Sequence, residues 1–156
     1  MDLEALNETA MAATRKMGLD AATVLSVAEK ERMIRFANNS VTVVKQIEET
    51  LLEVYLAKGN RRAVASTSNV EGASVEKFVS DLYKLLQGLP KGDYVPLPEK
   101  ATTFRQSSTL DKGLEDIGEK LPELASRAID ASLQAGGKRS AGVINASKAT
   151  VAILTS

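Results

Sequence analysis

The sequence contains no cysteine and no histidine. The first absence excludes disulfides, thiolate chemistry and cysteine-held zinc. The second removes the commonest general base and the commonest metal ligand, so any catalysis would have to run on carboxylates, Lys, Tyr or backbone groups. Trp is also missing, and three Phe and three Tyr are the only aromatics, which leaves Leu, Val, Ile and Ala to build the core. Neither charge sign is in excess, since 20 basic residues cancel 20 acidic ones. A nucleic-acid binder draws its affinity from surplus Lys and Arg facing phosphates, so direct nucleic-acid contact is disfavoured. No apolar run reaches the roughly 18 residues that a membrane helix needs. Asp2 and Glu4 stand where a secretory signal would carry basic residues. These features point to a soluble, cytoplasmic protein without membrane contact.

What is present suits a globular domain. The 156 residues, 44% of them hydrophobic, can bury ~68–70% of the surface that the unfolded chain exposes. Leu3, Leu6, Ala10, Ala13 and Met17 recur at helical spacing and predict a helix over 2–17, with Gly18 as its left-handed stop. The period then changes to two. Strands are expected at Thr23–Glu29, Met33–Ala37, Ser40–Ile47, Leu51–Lys58 and Arg61–Thr67. Val41, Val43 and Ile47 share one face of the third, and Leu52, Val54 and Leu56 share one face of the fourth. The separators Lys30-Glu31, Asn38-Asn39, Glu48-Glu49 and Gly59-Asn60 are too short for parallel crossovers, so an antiparallel meander follows.

A second helix is expected over 71–87, with Val75, Phe78, Val79, Leu82, Leu85, Leu86 and Leu89 as its apolar face, ended by Gly88 and Pro90. The Pro- and Ser/Thr-containing stretch 93–111 reads as a linker. Helix returns near 122–135 with Pro122 at its first position. If it starts near Asp111 instead, Pro122 would kink it, and Gly118 lies four residues back where the ring clash needs relief. Two strands in a hairpin, Ser140–Asn145 and Ala149–Thr155, close the chain around an Ala146–Lys148 turn. The fold class is therefore α+β: a meander of about five strands packed by helices, then a helix and a two-strand hairpin. The domain division is 1–92, a linker at 93–111, and 112–156. An apolar strand ending one residue before the chain does implies a longer parent protein.

The chemical motifs have plain structural readings. Ser74-Val-Glu-Lys77 has the Ser-x-x-Lys spacing of penicillin-recognising enzymes, but Ser80-Asp81 is followed by Leu82 instead of Asn and no Lys-Thr-Gly occurs. A serine capping the first turn of a helix explains it better. Gly136-Gly-Lys-Arg139 lacks the glycine and the Ser/Thr of a phosphate loop and reads as a helix stop. Asn7, Asn38 and Asn145 begin glycosylation-like triplets, which mean little without a secretion signal. Arg61-Arg62 and Lys138-Arg139 could hold an anion but read better as solvated strand-end charge that blunts an exposed sheet edge. Glu115, Asp116 and Glu119 fit no calcium loop and read as a solvated acidic face. No catalytic, cofactor-binding or metal-ligating residue is assigned.

One set of segments carries more. Met33-Ile-Arg-Phe-Ala-Asn-Asn-Ser-Val-Thr-Val-Val-Lys45, Gly59-Asn-Arg-Arg-Ala-Val-Ala-Ser-Thr67, Asp93-Tyr-Val-Pro-Leu-Pro98, Leu124-Ala-Ser-Arg-Ala-Ile-Asp130, Gly136–Gly142 and Val151-Ala-Ile-Leu-Thr-Ser156 follow one another in a telling order. That order resembles the amino-terminal part of the TldD/PmbA family, described as zinc metallopeptidases and as modulators of DNA gyrase. The resemblance implies that zinc, where the parent is of the catalytic type, is held by a His-Glu-x-x-x-His helix beyond the matched region, none of which stands in this chain. It also implies peptide processing, and homo- or hetero-oligomers with a TldD/PmbA-like subunit. The expected role is a non-catalytic amino-terminal domain that scaffolds the zinc domain and shapes peptide access or subunit contacts. The alternatives are a free-standing protein- or peptide-binding module, and a gyrase-linked regulator that makes no direct DNA contact.

Overall fold

The computed structural model describes residues 2–93, 109, 111 and 113–156, with backbone alone at 114–118. The Pro-containing connection at 94–108 lies outside the described residues. Three helices and four strands are α1 (Leu3–Thr14), β1 (Ala21–Ala37), β2 (Ser40–Lys58), β3 (Arg61–Thr67), α2 (Gly72–Gly88), α3 (Gly113–Gln134) and β4 (Gly142–Thr155). The strands form one antiparallel sheet in the order β3-β2-β1-β4. The fold is α+β, with four strands among the described residues.

Two of the four expected turns in the meander exist. Asn38 and Asn39 (φ 51° and 63°) join β1 to β2, and Gly59 and Asn60 (φ 54° and 62°) join β2 to β3. Both residues of each pair are left-handed, the geometry whose twist suits a two-residue hairpin. The second turn pairs Lys58 with Arg61 and carries the register to Leu52 opposite Thr67. The other two separators are strand interior. Lys30-Glu31 lies within the 17-residue β1, and Glu48-Glu49 within the 19-residue β2. Neither pair includes a residue that favours positive φ, so charge alone does not reverse the chain. Ala146–Lys148 likewise lies inside the unbroken 14-residue β4.

The chain divides into two compact units that share these long strands. The first takes Met1–Ala28, Glu49–Phe104 and Thr150–Ser156. Its core joins Leu3, Leu6, Ala10 and Met11 of α1 with Val24 of β1, Leu52, Val54 and Leu56 of β2, and Val75, Val79, Leu82 and Leu86 of α2. Leu52, Val54 and Leu56 are fully buried, as their alternation predicts, each adding about 1.5–3 kcal/mol of hydrophobic stabilisation. Asp2 caps α1 by accepting the N–H groups of Glu4 and Ala5. Gly18, at φ 58°, takes the expected left-handed position after it. Ser156 N–H bonds the Ala22 carbonyl, and its Oγ accepts the Ala22 N–H, which fixes this end of β4 against β1.

The second unit takes Glu29–Glu48 and Arg105–Ala149. Its smaller core is Ile34 and Phe36 of β1 with Leu121, Ala125 and Ile129 of α3, joined by Leu124, Ile144 and Ala146. Helix α3 begins at Gly113, so Pro122 lies inside it rather than at its first position. It ends in a Schellman pair, Gly137 N–H to Ser132 O and Gly136 N–H to Leu133 O, with Gly136 at φ 89°. Among the described residues no β2 residue belongs to this core, and Val41, Val43 and Val44 stand exposed. Val41 and Val43, an expected apolar face, are therefore surface here. Lys30, Glu31 and Glu48 lie in this unit as part of a polar rung: Lys30 donates to Glu48, Arg32 donates to Gln46, and Asn145 donates to Glu31.

Candidate functional site

Several motif residues have structural roles. Ser74 sits in the first turn of α2, but the N-cap is Glu71, which makes no side-chain cap bond. The capping role expected of Ser74 thus falls outside the cap position. Lys77 pairs with Asp81 at 2.6 Å, and Lys84 pairs with the same carboxylate at 2.8 Å. The two lysines hold the Asp81 carboxyl down at about 2. Asn7 is buried in α1, and Asn145 is bound to Glu31. Gly136 and Gly137 are the helix stop already described. Glu119 is exposed on α3, while the side chains of Glu115 and Asp116 are not described. Among the described residues no three His, Cys, Asp or Glu side chains gather in metal-binding geometry.

The cations flanking the β2–β3 turn hold helix ends. Lys58 Nζ donates to the Met17 carbonyl at 2.6 Å and to the Tyr83 hydroxyl at 2.9 Å, and Tyr83 donates to the same carbonyl at 3.0 Å. The ammonium hydrogen bond lowers the Tyr83 phenol below its ordinary value. Arg61 Nε donates to the Leu89 carbonyl at 2.7 Å, just past α2. Asp20 accepts the Gly59 N–H. A cation at a helix C-terminus answers the negative end of its dipole, so Lys58 and Arg61 dock this hairpin under α1 and α2. Arg61 of the expected basic pair is thereby committed to structure, and Arg62 is exposed.

Among the described residues, backbone edges stand without a partner strand. Strand β4 is an edge, with Ile144, Ala146, Ala152 and Leu154 turned to the cores and Val143, Val151 and Ile153 exposed. Strand β3 is the other edge, with Val64 exposed. It pairs only with Leu52–Lys58, so among the described residues no strand lies beside Ser40–Leu51 on that side of β2. An unpaired edge offers N–H and C=O groups to an added strand, and alternate side chains give such pairing its selectivity. The Glu48-Glu49 pair, which interrupts the apolar pattern, hides the continuity of β2 and with it this edge. The absence of a residue that favours positive φ at this pair is the signal in the sequence that the strand continues.

Comparison with known proteins agrees with this geometry. Residues 22–86 match the family model described as PmbA/TldA metallopeptidase domain 1. Comparison with curated proteins gives no match. Among solved structures, the chain is similar to TldE from Thermococcus kodakarensis, at 16% identity and a TM-score of 0.77, over 99% of this chain and 34% of that one. It is similar to a candidate modulator of DNA gyrase from Bacteroides thetaiotaomicron, at 17% identity and 0.78, over 97% of this chain and 36% of that one. A candidate modulator of a DNA gyrase from Thermotoga maritima gives 15% and 0.69, over 99% and 35%. The chain spans about a third of the length of these structures. The resemblance to the amino-terminal domain of the TldD/PmbA family thus holds in sequence and in fold. A zinc held by histidines does not fit the residues present, because the chain has neither His nor Cys.

Proposed function

We propose that this chain, built as the amino-terminal domain of TldD/PmbA-type proteins, is a non-catalytic part of a peptide-processing system. It scaffolds a zinc-bearing domain that lies elsewhere in sequence, shapes the approach of an extended peptide and contributes to subunit contacts with a TldD/PmbA-like chain. The observation that carries the reading is the pairing of a match to a metallopeptidase's first domain with a composition unable to ligate zinc through His or Cys. The free strand edges support the contact role, since they can take up a strand without any catalytic group. The gyrase connection belongs to the names of two similar structures, and the cancelled charge of this chain favours no direct DNA contact.

Strand capture tests the reading. Proline placed along the exposed edges, as in Ala149→Pro and Val64→Pro, should weaken retention of an extended peptide or of a zinc-bearing TldD-type subunit. Circular dichroism confirms that the variants fold. Unchanged retention by folded variants would sink the proposal.

A further inference from the structure

Within the first unit the sheet has helices on one face only. Val24 of β1, Leu52, Val54 and Leu56 of β2, Ala63 of β3 and Leu154 of β4 pack toward α1 and α2. Side chains alternate along a strand, so Leu25, Val27, Tyr55, Val64, Val151 and Ile153 line the other face. Tyr55 stands directly across from Val64. Ser156 bonds Ala22, and counting inward from that pair sets Ile153 opposite Leu25 and Val151 opposite Val27. Val64, Val151 and Ile153 are 59%, 53% and 61% exposed, and no described element of this unit lies over them. An antiparallel sheet with one wet face ordinarily alternates apolar and polar residues. Val24-Leu25 and Ile153-Leu154 are instead apolar on both sides, the pattern of strands buried on both faces.

We propose that this face seats the second domain of the same polypeptide, the zinc-bearing one. Two observations choose that occupant. The family model matched by residues 22–86 is a domain 1, and the similar structures hold nearly all of this chain within about a third of their own length. A further folded body of larger size therefore accompanies this fold in each of them. The width of the face is the second observation. Four strands about 4.8 Å apart, with their side chains, outspan a single helix of about 10 Å, so a peptide or a tail would leave part of the face wet. Glu53 marks the contact further. It is exposed on the same face, across from Ser66, and has no ion-pair partner among the described residues. A domain seated over it must bring a Lys or Arg, because a covered carboxylate without a partner is costly. This inference rests on the scaffold part of the proposed function and names the surface through which the two domains meet.

Thiol accessibility tests it, since the sequence has no cysteine of its own. Val64→Cys and Ile153→Cys place a thiol at either side of the face, and Leu85→Cys places one on α2, where Leu85 is 56% exposed. In the 156-residue chain all three should react with a maleimide at similar rates. In the native full-length polypeptide, diluted until it sediments as a monomer, Leu85→Cys should keep that rate while the two face variants slow by about tenfold or more. Ile153→Lys gives a second readout. It should leave the urea midpoint of the 156-residue chain unchanged, yet speed proteolytic separation of the domains in the full-length polypeptide. Face thiols that react freely in a full-length chain carrying a second domain overturn this surface and leave the scaffold reading standing, its contact elsewhere. Protection already present in the 156-residue chain, or lost from the full-length chain on dilution, means that a second copy covers the face and overturns the domain as occupant. A native product ending near Ser156 overturns the scaffold reading itself, and this inference with it.

Discussion

Asn39 reads the backbone at Ser140. Its side-chain carbonyl accepts the Ser140 N–H at 2.7 Å, its amide donates to the Lys138 carbonyl at 3.0 Å, and its own N–H donates to the Ser140 carbonyl at 3.2 Å. One turn residue thereby ties the β1–β2 hairpin to the entry of β4, within the second unit. Asn is the ordinary residue that both tolerates φ near 63° and presents a donor beside an acceptor. Asn39→Gly keeps the backbone but loses both side-chain bonds and should cost ~1–2 kcal/mol. Asn39→Ala adds left-handed strain of about 1–2 kcal/mol and should be the worse of the two. Urea unfolding midpoints give the order.

Gly142 makes room for Phe36. A Cβ on Gly142 would lie 2.7 Å from Phe36 Cζ, inside the contact distance of two carbons. Gly142→Ala should therefore destabilise by about 1–3 kcal/mol through overpacking. Phe36→Leu should also destabilise alone, by opening space in the smaller core. Together they should cost less than their sum, which a double-mutant cycle measures.

Asp81 should titrate far below an ordinary carboxylate. Lys77 and then Lys84 hold it at about 2, against 3.8 unperturbed, so the ionised form is favoured in the folded chain. Its contribution is complete above the unperturbed value and is lost as pH falls through about 2. The pair is exposed, so salt should move the titration back toward 3.8. Lys77→Gln should raise it more than Lys84→Gln. Carboxyl chemical shifts followed against pH test both statements.

Lys58 should control the phenol of Tyr83. Removing the ammonium in Lys58→Met takes away the hydrogen bond that lowers the Tyr83 phenol, so its ionisation should shift upward. Ultraviolet titration of phenolate measures the shift, with Tyr83→Phe identifying the band. An unchanged titration would contradict the geometry at this helix end.

Much of the fold was legible wherever residues carried their own backbone instruction. Asn38-Asn39 and Gly59-Asn60 announced hairpins because both positions accept positive φ. Gly136-Gly137 announced a helix stop for the same reason, and the alternation of Leu52, Val54 and Leu56 announced a buried face. What misled was charge. Lys30-Glu31 and Glu48-Glu49 interrupt the apolar pattern, yet they lie in strand between residues of the two cores, and a break in burial is not a break in the backbone. Val41 and Val43 alternate as well as Leu52 and Val54 do, but alternation cannot tell which half of a long strand a helix will cover. The assignment of Pro122 to a helix start failed similarly, because an amphipathic stripe through Leu121, Ala125 and Ile129 outweighs one missing N–H.

The most direct measurement is the mass of the native polypeptide in its source cells, with its sequence read past Ser156. The account predicts a chain well above 16.6 kDa, in keeping with similar structures about three times as long. A His-Glu-x-x-x-His helix in the added length would make this domain the scaffold of a zinc peptidase, and its absence would make the parent the non-catalytic partner subunit. A native product near 16.6 kDa would contradict the scaffold role and leave a small binding domain that keeps only the ancestral fold.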